Sequence, residues 1–175
     1  MRLFVAIPVG AETRQELESL VNRLRRPGDR LKWTDPAGWH ITQAFLGEAS
    51  AEQLQILTDR LATVRSAPPP VEFAAPEIFD RAGALVVAVR PSVQLAALQR
   101  AVAAATAACG FVPEARAYRP HLTLARARRG ELLHMRIDST QTIAGFVAKE
   151  FVLYESFLER GGARYEARAR FELKS

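Results

Sequence analysis

Two short segments with a common pattern dominate this sequence: WHITQAFLG at residues 39–47 and PHLTLAR at residues 120–126. Each contains a histidine, an apolar residue, a threonine and one further residue, within a stretch typical of a β-strand. Together the two copies hold two of the three histidines in the chain. A single copy would be an ordinary coincidence, but the duplication favours a functional explanation.

The spacing inside each copy decides which side chains act together. Because residues i and i+2 of a strand point to the same face, His40 projects with Thr42, and His121 projects with Thr123. If the two strands lie side by side, or face each other across a cleft, their shared surface gains two imidazoles and two hydroxyls. The alternative for either histidine is a purely structural role.

This combination suits metal-free cleavage of a phosphodiester. An imidazole with the ordinary pKa of about 6.5 can serve as a general base or a general acid at neutral pH. Threonine hydroxyls can donate hydrogen bonds to the non-bridging oxygens of a phosphate. Two histidines without a nearby third ligand make a poor zinc site, so the sequence predicts neither a metal nor another cofactor.

Around these segments the chain reads as a mixture of strands and helices. Strands are predicted at 2–9, 31–34, 39–47, 71–79, 84–90, 120–127, 146–158 and 164–173, and a short helix at 130–137. Three longer helices are predicted to start near Thr13, Ser50 and Ser92, the first two with capping boxes formed with Glu16 and Gln53. Strands outnumber helices and do not alternate regularly with them, which indicates an α+β fold.

The last predicted strand alternates strictly between charged and apolar residues. This pattern predicts one solvated face and one buried face. The buried set comprises Tyr165, Ala167, Ala169, Phe171 and Leu173.

Length and composition limit the class of protein. The chain has 175 residues, of which 49% are hydrophobic, so one domain over 1–175, built as two small lobes, is expected. Cys109 is the only cysteine, which excludes an internal disulfide and predicts a small packed residue. The apolar run at 2–8 is too short for a signal peptide or a membrane span, so cytoplasmic residence without a membrane partner is expected.

The net charge of +5 arises from 24 basic and 19 acidic residues. Only three of the basic residues are lysines, and arginine is the side chain that binds phosphate in a bidentate manner. A GC-rich genome would also enrich arginine. Five arginines surround the second motif, which predicts an RNA-binding rim, with a solvated loop as the alternative: Arg116, Arg119, Arg126, Arg128 and Arg129.

Five aromatic residues are candidates for stacking on a base, although most are expected in the core: Trp33, Trp39, Phe45, Phe79 and Tyr118. The third histidine, His134, lies in a polar stretch and is predicted to have no role.

From end to end, the chain resembles the 2H phosphoesterase superfamily, which is defined by two His-x-Thr/Ser-x motifs. It is most similar to the RNA 2',3'-cyclic phosphodiesterases, also called 2'-5' RNA ligases. The Phe-Leu-Gly-Glu tail at 45–48 and Arg126 after the second motif point to this subfamily. The resemblance implies two pseudo-symmetric α+β lobes, each an antiparallel sheet with helices outside, and an active-site cleft between them. A monomer is expected.

The resemblance also implies the hydrolysis of a terminal 2',3'-cyclic phosphate on RNA to a 2'-phosphate, with weak reverse ligation of 2'-5' ends. His40 would be the acid and His121 the base, although in a pseudo-symmetric site the two roles could be exchanged. Thr42, Thr123 and Arg126 would hold the phosphate. Arg126 follows His121 by five positions and would point to the opposite face of a regular strand, so this role requires a bulge.

The first motif departs from the usual family pattern at one position. Gln43 stands where the family usually has leucine, and it should face away from the site and alter packing only. The alternative functions are a 2H enzyme acting on a small cyclic nucleotide, such as ADP-ribose 1'',2''-cyclic phosphate, and a non-catalytic RNA-binding protein.

Overall fold

The computed structural model describes residues 1–127, 137, 142–160 and 162–174. Within these residues the chain forms three α-helices: α1 Ala11–Leu24, α2 Ala51–Leu61 and α3 Val93–Ala107. It also forms ten strands: β1 Arg2–Pro8, β2 Lys32–Trp33, β3 His40–Glu48, β4 Pro70–Val71, β5 Phe73–Phe79, β6 Ala84–Val89, β7 His121–Arg126, β8 Phe146–Val147, β9 Glu150–Glu159 and β10 Gly162–Glu172. The predicted helix at 130–137 lies outside the described residues except at position 137.

Two four-stranded antiparallel sheets carry the two motifs. One has the order β10-β9-β1-β3 and the other the order β2-β7-β6-β5, while β4 and β8 form a separate pair. The motif strands β3 and β7 pair with the central strands β1 and β6 in the same way, so β3-β1-β9 corresponds to β7-β6-β5. The α+β prediction is confirmed, and each sheet holds one His-x-Thr pair.

A buried apolar core supports both motif strands from behind. Ile41 and Leu122, the middle residues of the two motifs, have no exposed surface, and their central-strand neighbours Ile7 and Val87 are equally buried. In each motif strand the residue between the histidine and the threonine is therefore buried, and the histidine and the threonine lie on the opposite face. This burial fixes the register, because a slip of one residue would exchange the two faces.

The helix starts agree with the sequence at two of three places. Ser50 and Gln53 form the predicted capping box of α2, and the Ser92 hydroxyl accepts a hydrogen bond from the backbone N–H of Leu95 at the start of α3. The predicted box at Thr13 is wrong, because α1 begins earlier, with Gly10 as its N-cap. Thr13 and Glu16 instead bind the backbone of residue 144, which lies far along the chain.

The predicted strand at 146–158 is divided into β8 and β9. The interruption at Ala148 and Lys149 has its own partners, because the Ala148 N–H donates to the Pro69 carbonyl and the Lys149 carbonyl accepts from Leu173. The chain therefore changes its pairing partner at this point, from the segment that contains β4 to the end of β10.

The prediction of one buried face on the last strand is wrong, because β10 contains a bulge at Arg168. Ala167 pairs with Tyr154 whereas Ala169 pairs with the adjacent Leu153, so one residue of β10 has no partner. The bulge exchanges the two faces of the strand. Ala169, Phe171 and Leu173 lie on the core face of the sheet, whereas Tyr165 lies on the face that carries His40. In the described part of the chain no helix is long and apolar enough to cross a membrane.

Candidate active site

The two histidines are held by the same local device. His40 Nδ1 lies 2.7 Å from the carbonyl oxygen of Gly38, and His121 Nδ1 lies 2.7 Å from that of Arg119. A carbonyl oxygen can only accept, so Nδ1 carries the proton in both rings. Each imidazole therefore keeps Nε2 for chemistry, as an acceptor when the ring is neutral and as a donor when it is protonated.

The surroundings of the two rings differ. His40 packs against Phe4, with ring centroids 4.8 Å apart, and against the edge of Tyr165, 5.1 Å away. His121 packs against Phe79 at 4.9 Å. Burial of His40 lowers its pKa from 6.5 to about 4, and the positive charges of His121 and Arg126 act in the same direction, while the hydrogen bond to Gly38 opposes them.

The motif strands β3 and β7 lie in contact, so the two motifs meet at one site, close enough for the charges of His121 and Arg126 to lower the pKa of His40. Hydrogen bonds through the Thr34 hydroxyl also link the two motif segments. The Trp39 indole donates to the Thr34 hydroxyl at 2.8 Å, and this hydroxyl donates to the Thr123 carbonyl at 2.9 Å. The residue before His40 is thus connected to the backbone of the second threonine.

A second connection runs through Gln43, whose amide Nε2 donates to the Tyr118 hydroxyl at 2.7 Å. Tyr118 directly precedes the residue whose carbonyl holds His121. Gln43 is buried, and its Oε1 has no hydrogen-bond partner among the described residues. The expectation that Gln43 affects packing is therefore extended, because it also links the segments that carry the two histidines.

Both motif strands contain a bulge at the third residue after the histidine. In β3 Thr42 pairs with Ala6 and Ala44 pairs with Val5, so Gln43 has no partner. In β7 Thr123 pairs with Val86 and Ala125 pairs with Leu85, so Leu124 has no partner. This repeated irregularity could not be read from the apolar periodicity.

The bulges change which later residues share the face of the histidines. Phe45 pairs with Phe4, and Arg126 pairs with Ala84, so both lie on the same face as the histidine and threonine of their strands. The bulge that the role of Arg126 requires is present. Phe45 occupies the equivalent position on the other motif strand and is 62% exposed.

The predicted arginine rim is described only in part. Arg116 lies 3.8 Å from Glu114, and Arg119 lies 3.7 Å from Glu77 while covering the Phe79 ring at 4.4 Å. Arg126 is exposed at the end of β7. Arg128, Arg129 and His134 lie outside the described residues.

Thr42 and Thr123 are half-buried on the site face, and within the described ranges neither hydroxyl has a hydrogen-bond partner. They stand beside the histidines, where two donors could bind the oxygens of one anion. No group of three or more His, Cys, Asp or Glu side chains suited to hold a metal ion occurs in the described part of the chain. The arrangement offers two proton-transfer groups, two hydroxyl donors and a cation.

Comparison with known proteins places this geometry in context. A family model described as the 2'-5' RNA ligase superfamily matches residues 12–155. The chain is 32% identical to the RNA 2',3'-cyclic phosphodiesterase of Bacillus subtilis over 150 residues, which cover 81% of this chain and 80% of that protein. It is 28% identical to the RNA 2',3'-cyclic phosphodiesterase of Archaeoglobus fulgidus over 178 residues, covering 98% and 100%. Among solved structures, E. coli LigT complexed with 3'-AMP matches with a TM-score of 0.89 at 26% identity, covering 99% and 98% of the two chains.

Proposed function

Because the chain belongs to the 2'-5' RNA ligase superfamily, we propose that it hydrolyses terminal 2',3'-cyclic phosphates on RNA to 2'-phosphates by two-histidine acid–base catalysis. The proposal rests chiefly on the paired arrangement of His40 and His121. In both, a backbone carbonyl fixes the protonated nitrogen and leaves Nε2 for a proton transfer.

The reaction needs one proton removed and one proton supplied. His121 Nε2 accepts a proton from water as the water oxygen attacks phosphorus. The bond from phosphorus to the ribose 3' oxygen breaks, and His40 Nε2 donates a proton to that oxygen. The product carries a 2'-phosphate, and the two histidines end with exchanged protonation states that solvent restores. Thr42 and Thr123 donate hydrogen bonds to the non-bridging oxygens, where negative charge increases in the transition state.

Arg126 supplies the cation of the proposed site. Its place on the same face of β7 as His121 suits a contact with the phosphate or with the RNA backbone. The reverse reaction, attack of an RNA hydroxyl on the cyclic phosphate, would use the same groups and form a 2'-5' linkage. Water at high concentration makes hydrolysis the dominant direction.

The experiment is hydrolysis of an oligonucleotide that ends in a 2',3'-cyclic phosphate, with the product compared with 2'-phosphate and 3'-phosphate standards. We expect a 2'-phosphate, formed at the same rate in excess chelator. Replacement of either His40 or His121 by alanine should lower kcat by about 10²- to 10⁴-fold. His134→Ala is the matched control and should leave the rate unchanged.

Four results would contradict this function in different ways. Loss of activity in chelator would indicate a metal-dependent reaction. Full activity of both histidine variants would remove the acid–base mechanism. Wild-type binding of the oligonucleotide without turnover would favour the non-catalytic RNA-binding alternative. Equal or faster turnover of a small cyclic nucleotide would favour the other alternative, a small-nucleotide 2H enzyme.

The organisation of the protein follows from the same site. We propose that residues 1–175 act as one bilobal domain and as a monomer, because both histidines come from a single chain. Cytoplasmic residence stays a prediction from the sequence.

A further inference from the structure

The segment that leads from α1 into β2 carries a high density of positive charge. Over residues 23–33 the chain has five basic side chains and a single acid, Asp29. The basic residues are all exposed, and none of them forms an ion pair among the residues that the structure describes: Arg23, Arg25, Arg26, Arg30 and Lys32. We call residues 23–32 the basic segment.

The acid of this region shapes the loop that carries the cations. The Asp29 carboxylate accepts hydrogen bonds from the backbone N–H groups of Arg26 and Leu31, at 3.1 and 3.2 Å. It also accepts one from the Trp33 indole at 3.3 Å. The Arg25 guanidinium lies over the same indole, 5.3 Å from the ring centroid. These contacts order the loop before any ligand binds, which lowers the entropic cost of binding.

Lys32 connects the basic segment to the active site. It pairs with Arg126 across β2 and β7, and directly opposed residues of an antiparallel pair share a face. Lys32 therefore lies on the face that carries Arg126 and His121, at the end of β7 away from His121. Like charges in directly opposed positions are destabilising, and neither cation has an ion-pair partner in the described part of the chain. An anion bound between them would replace this repulsion by attraction.

Arg126 and Lys32 lie at different distances from the reacting groups. Burial lowers the pKa of His40 and raises that of Tyr165, and the charge of Arg126 lowers both. Lys32 is not among the charges that act on either pKa. Its Cε instead lies near the tip of the β9–β10 hairpin, where a Cβ added at Gly162 would be 3.7 Å away. Lys32 is thus one step farther from the histidines than Arg126, which suits a phosphate next to the reacting one.

The arginine rim predicted around the second motif is less available to an anion in front of that motif. Arg116 lies 3.8 Å from Glu114, and Arg119 lies 3.7 Å from Glu77. These two cations are partly neutralised by their carboxylates. The unopposed positive charge beside the site lies in the basic segment, which the sequence patterns do not single out.

We propose that Arg126 and the basic segment form the path of the RNA strand on the 5' side of the cyclic phosphate, with Lys32 binding the phosphodiester that joins the last two nucleotides. The inference rests on the proposed function and specifies the substrate as an RNA chain and not a mononucleotide. The arginines at 25, 26 and 30 bind phosphates farther upstream. Contacts of this kind add affinity and position the strand without reading its sequence.

The test is a series of substrates of increasing length. The three substrates are 2',3'-cyclic AMP, which has no phosphodiester on its 5' side, and an adenosine dinucleotide and pentanucleotide that end in a 2',3'-cyclic phosphate. At low salt Lys32→Gln should raise KM for the dinucleotide and the pentanucleotide by about 5-fold with little change in kcat. It should leave the kinetics of 2',3'-cyclic AMP unchanged. The double variant Arg26→Gln/Arg30→Gln should raise KM for the pentanucleotide alone.

Two controls separate a phosphate contact from a general effect of charge or folding. Lys32→Arg keeps the charge and should keep the wild-type KM on all three substrates. Arg60→Gln removes an exposed cation from α2, whose buried residues belong to the core, and should behave as the wild type. At about 1 M salt, where the screening length falls to about 3 Å, the difference between Lys32→Gln and the wild type should disappear.

Binding of the hydrolysis products distinguishes this inference from the proposed function, because it needs no turnover. Lys32→Gln should weaken a pentanucleotide that ends in a 2'-phosphate by the same factor of about 5 and leave 2'-AMP unaffected. An equal loss on the mononucleotide and the pentanucleotide, or a loss no larger than that of Arg60→Gln, would overturn the path. Absence of turnover by the wild type, together with the selective loss of pentanucleotide binding in Lys32→Gln, would overturn the proposed hydrolysis and leave the path supported.

Discussion

His40 should be uncharged in the free protein at neutral pH and should gain its proton when a phosphate binds. Its ring is enclosed by Phe4 and Tyr165, and burial lowers its pKa to about 4. At pH 7 only about one molecule in a thousand would then hold a protonated His40. An acid that donates to the leaving oxygen must first be protonated, so the substrate has to favour the charged form.

The size of the required effect follows from the difference between pH 7 and a pKa of about 4. Each unit corresponds to 1.36 kcal/mol, so raising the pKa of His40 to 7 requires about 4 kcal/mol. One negative charge about 4 Å from the imidazolium contributes about 4 kcal/mol at an effective dielectric constant of about 20. A single phosphate anion held between Thr42 and Thr123 is therefore sufficient to protonate His40 in about half of the complexes at pH 7.

NMR can measure this directly from the Cε1–H shift of His40 between pH 3.5 and 8.5, with and without saturating 2'-AMP. Spectra of His121→Gln and His134→Gln assign the three imidazoles. We expect an apparent pKa near 4 in the free protein and near or above 7 in the complex, with matching proton uptake in calorimetry at pH 6. Tyr165→Ala, which opens the ring to water, should raise the free value toward 6.5.

Two outcomes would refute this reasoning at different steps. Titration of His40 near 6.5 in the free wild type would show that the aromatic contacts do not desolvate the ring. A low pKa that stays low in the 2'-AMP complex would mean that His40 enters the reaction neutral. His40 would then act as the base, and the proposed roles of the two histidines would be exchanged.

Three further predictions follow from the same contacts. Because the pKa of His40 is lower in the folded state than in the unfolded state, stability should fall as the pH falls from 6.5 to about 4, by up to about 3 kcal/mol, and urea titrations of His40→Gln should lack this component. Tyr118→Phe should cost about 0.5–1.5 kcal/mol in urea unfolding by removing the short hydrogen bond that its hydroxyl accepts from the buried Gln43 amide, whereas the double variant with Gln43→Leu should recover most of that loss. Arg126→Gln should weaken oligonucleotide binding and reduce the slope of log K against log salt by about 1, and an unchanged slope would place Arg126 away from the phosphates.

The chemistry of the site is largely readable from the sequence, because it depends on residue type and on short spacings. His-x-Thr on a strand fixes a common face for the two side chains, and buried Ile41 and Leu122 hold that face toward the site. The duplication of the motif indicates two related sheets. These inferences use only local periodicity, which survives folding as long as the strand is regular.

The β-bulges are the part of the strands that the sequence pattern does not show. The bulges at Gln43, Leu124 and Arg168 carry no glycine or proline signal, yet they determine that Phe45, Arg126 and Tyr165 reach the site face. Bulges arise from the fit between neighbouring strands, which is a tertiary property. Only the bulge before Arg126 is predictable, because in a regular strand this side chain would face away from the histidine and could not take its expected role.

Long-range partners explain the error at the first helix. Thr13 and Glu16 have the spacing of a capping box, but both bind the backbone of residue 144 and leave the helix start to Gly10. A capping side chain has one set of lone pairs and donors, and a distant backbone group can compete for it. Both side chains bind backbone groups, as the pattern predicts, but these groups belong to residue 144 and not to the start of the helix.

The two halves of the site have similar backbones, but some of their side chains differ. The reaction depends on these differences. Both motifs anchor Nδ1 on the carbonyl two residues earlier, bulge at the third residue after the histidine, and return the fifth residue to the site face. That fifth residue is an exposed phenyl ring in one half and a guanidinium in the other. A cyclic phosphate on ribose also has two different sides, because one side carries the base and the leaving oxygen and the other side must admit water. Phe45 and Arg126 are therefore equivalent positions at which the two halves of the site differ in chemistry although their backbones are alike.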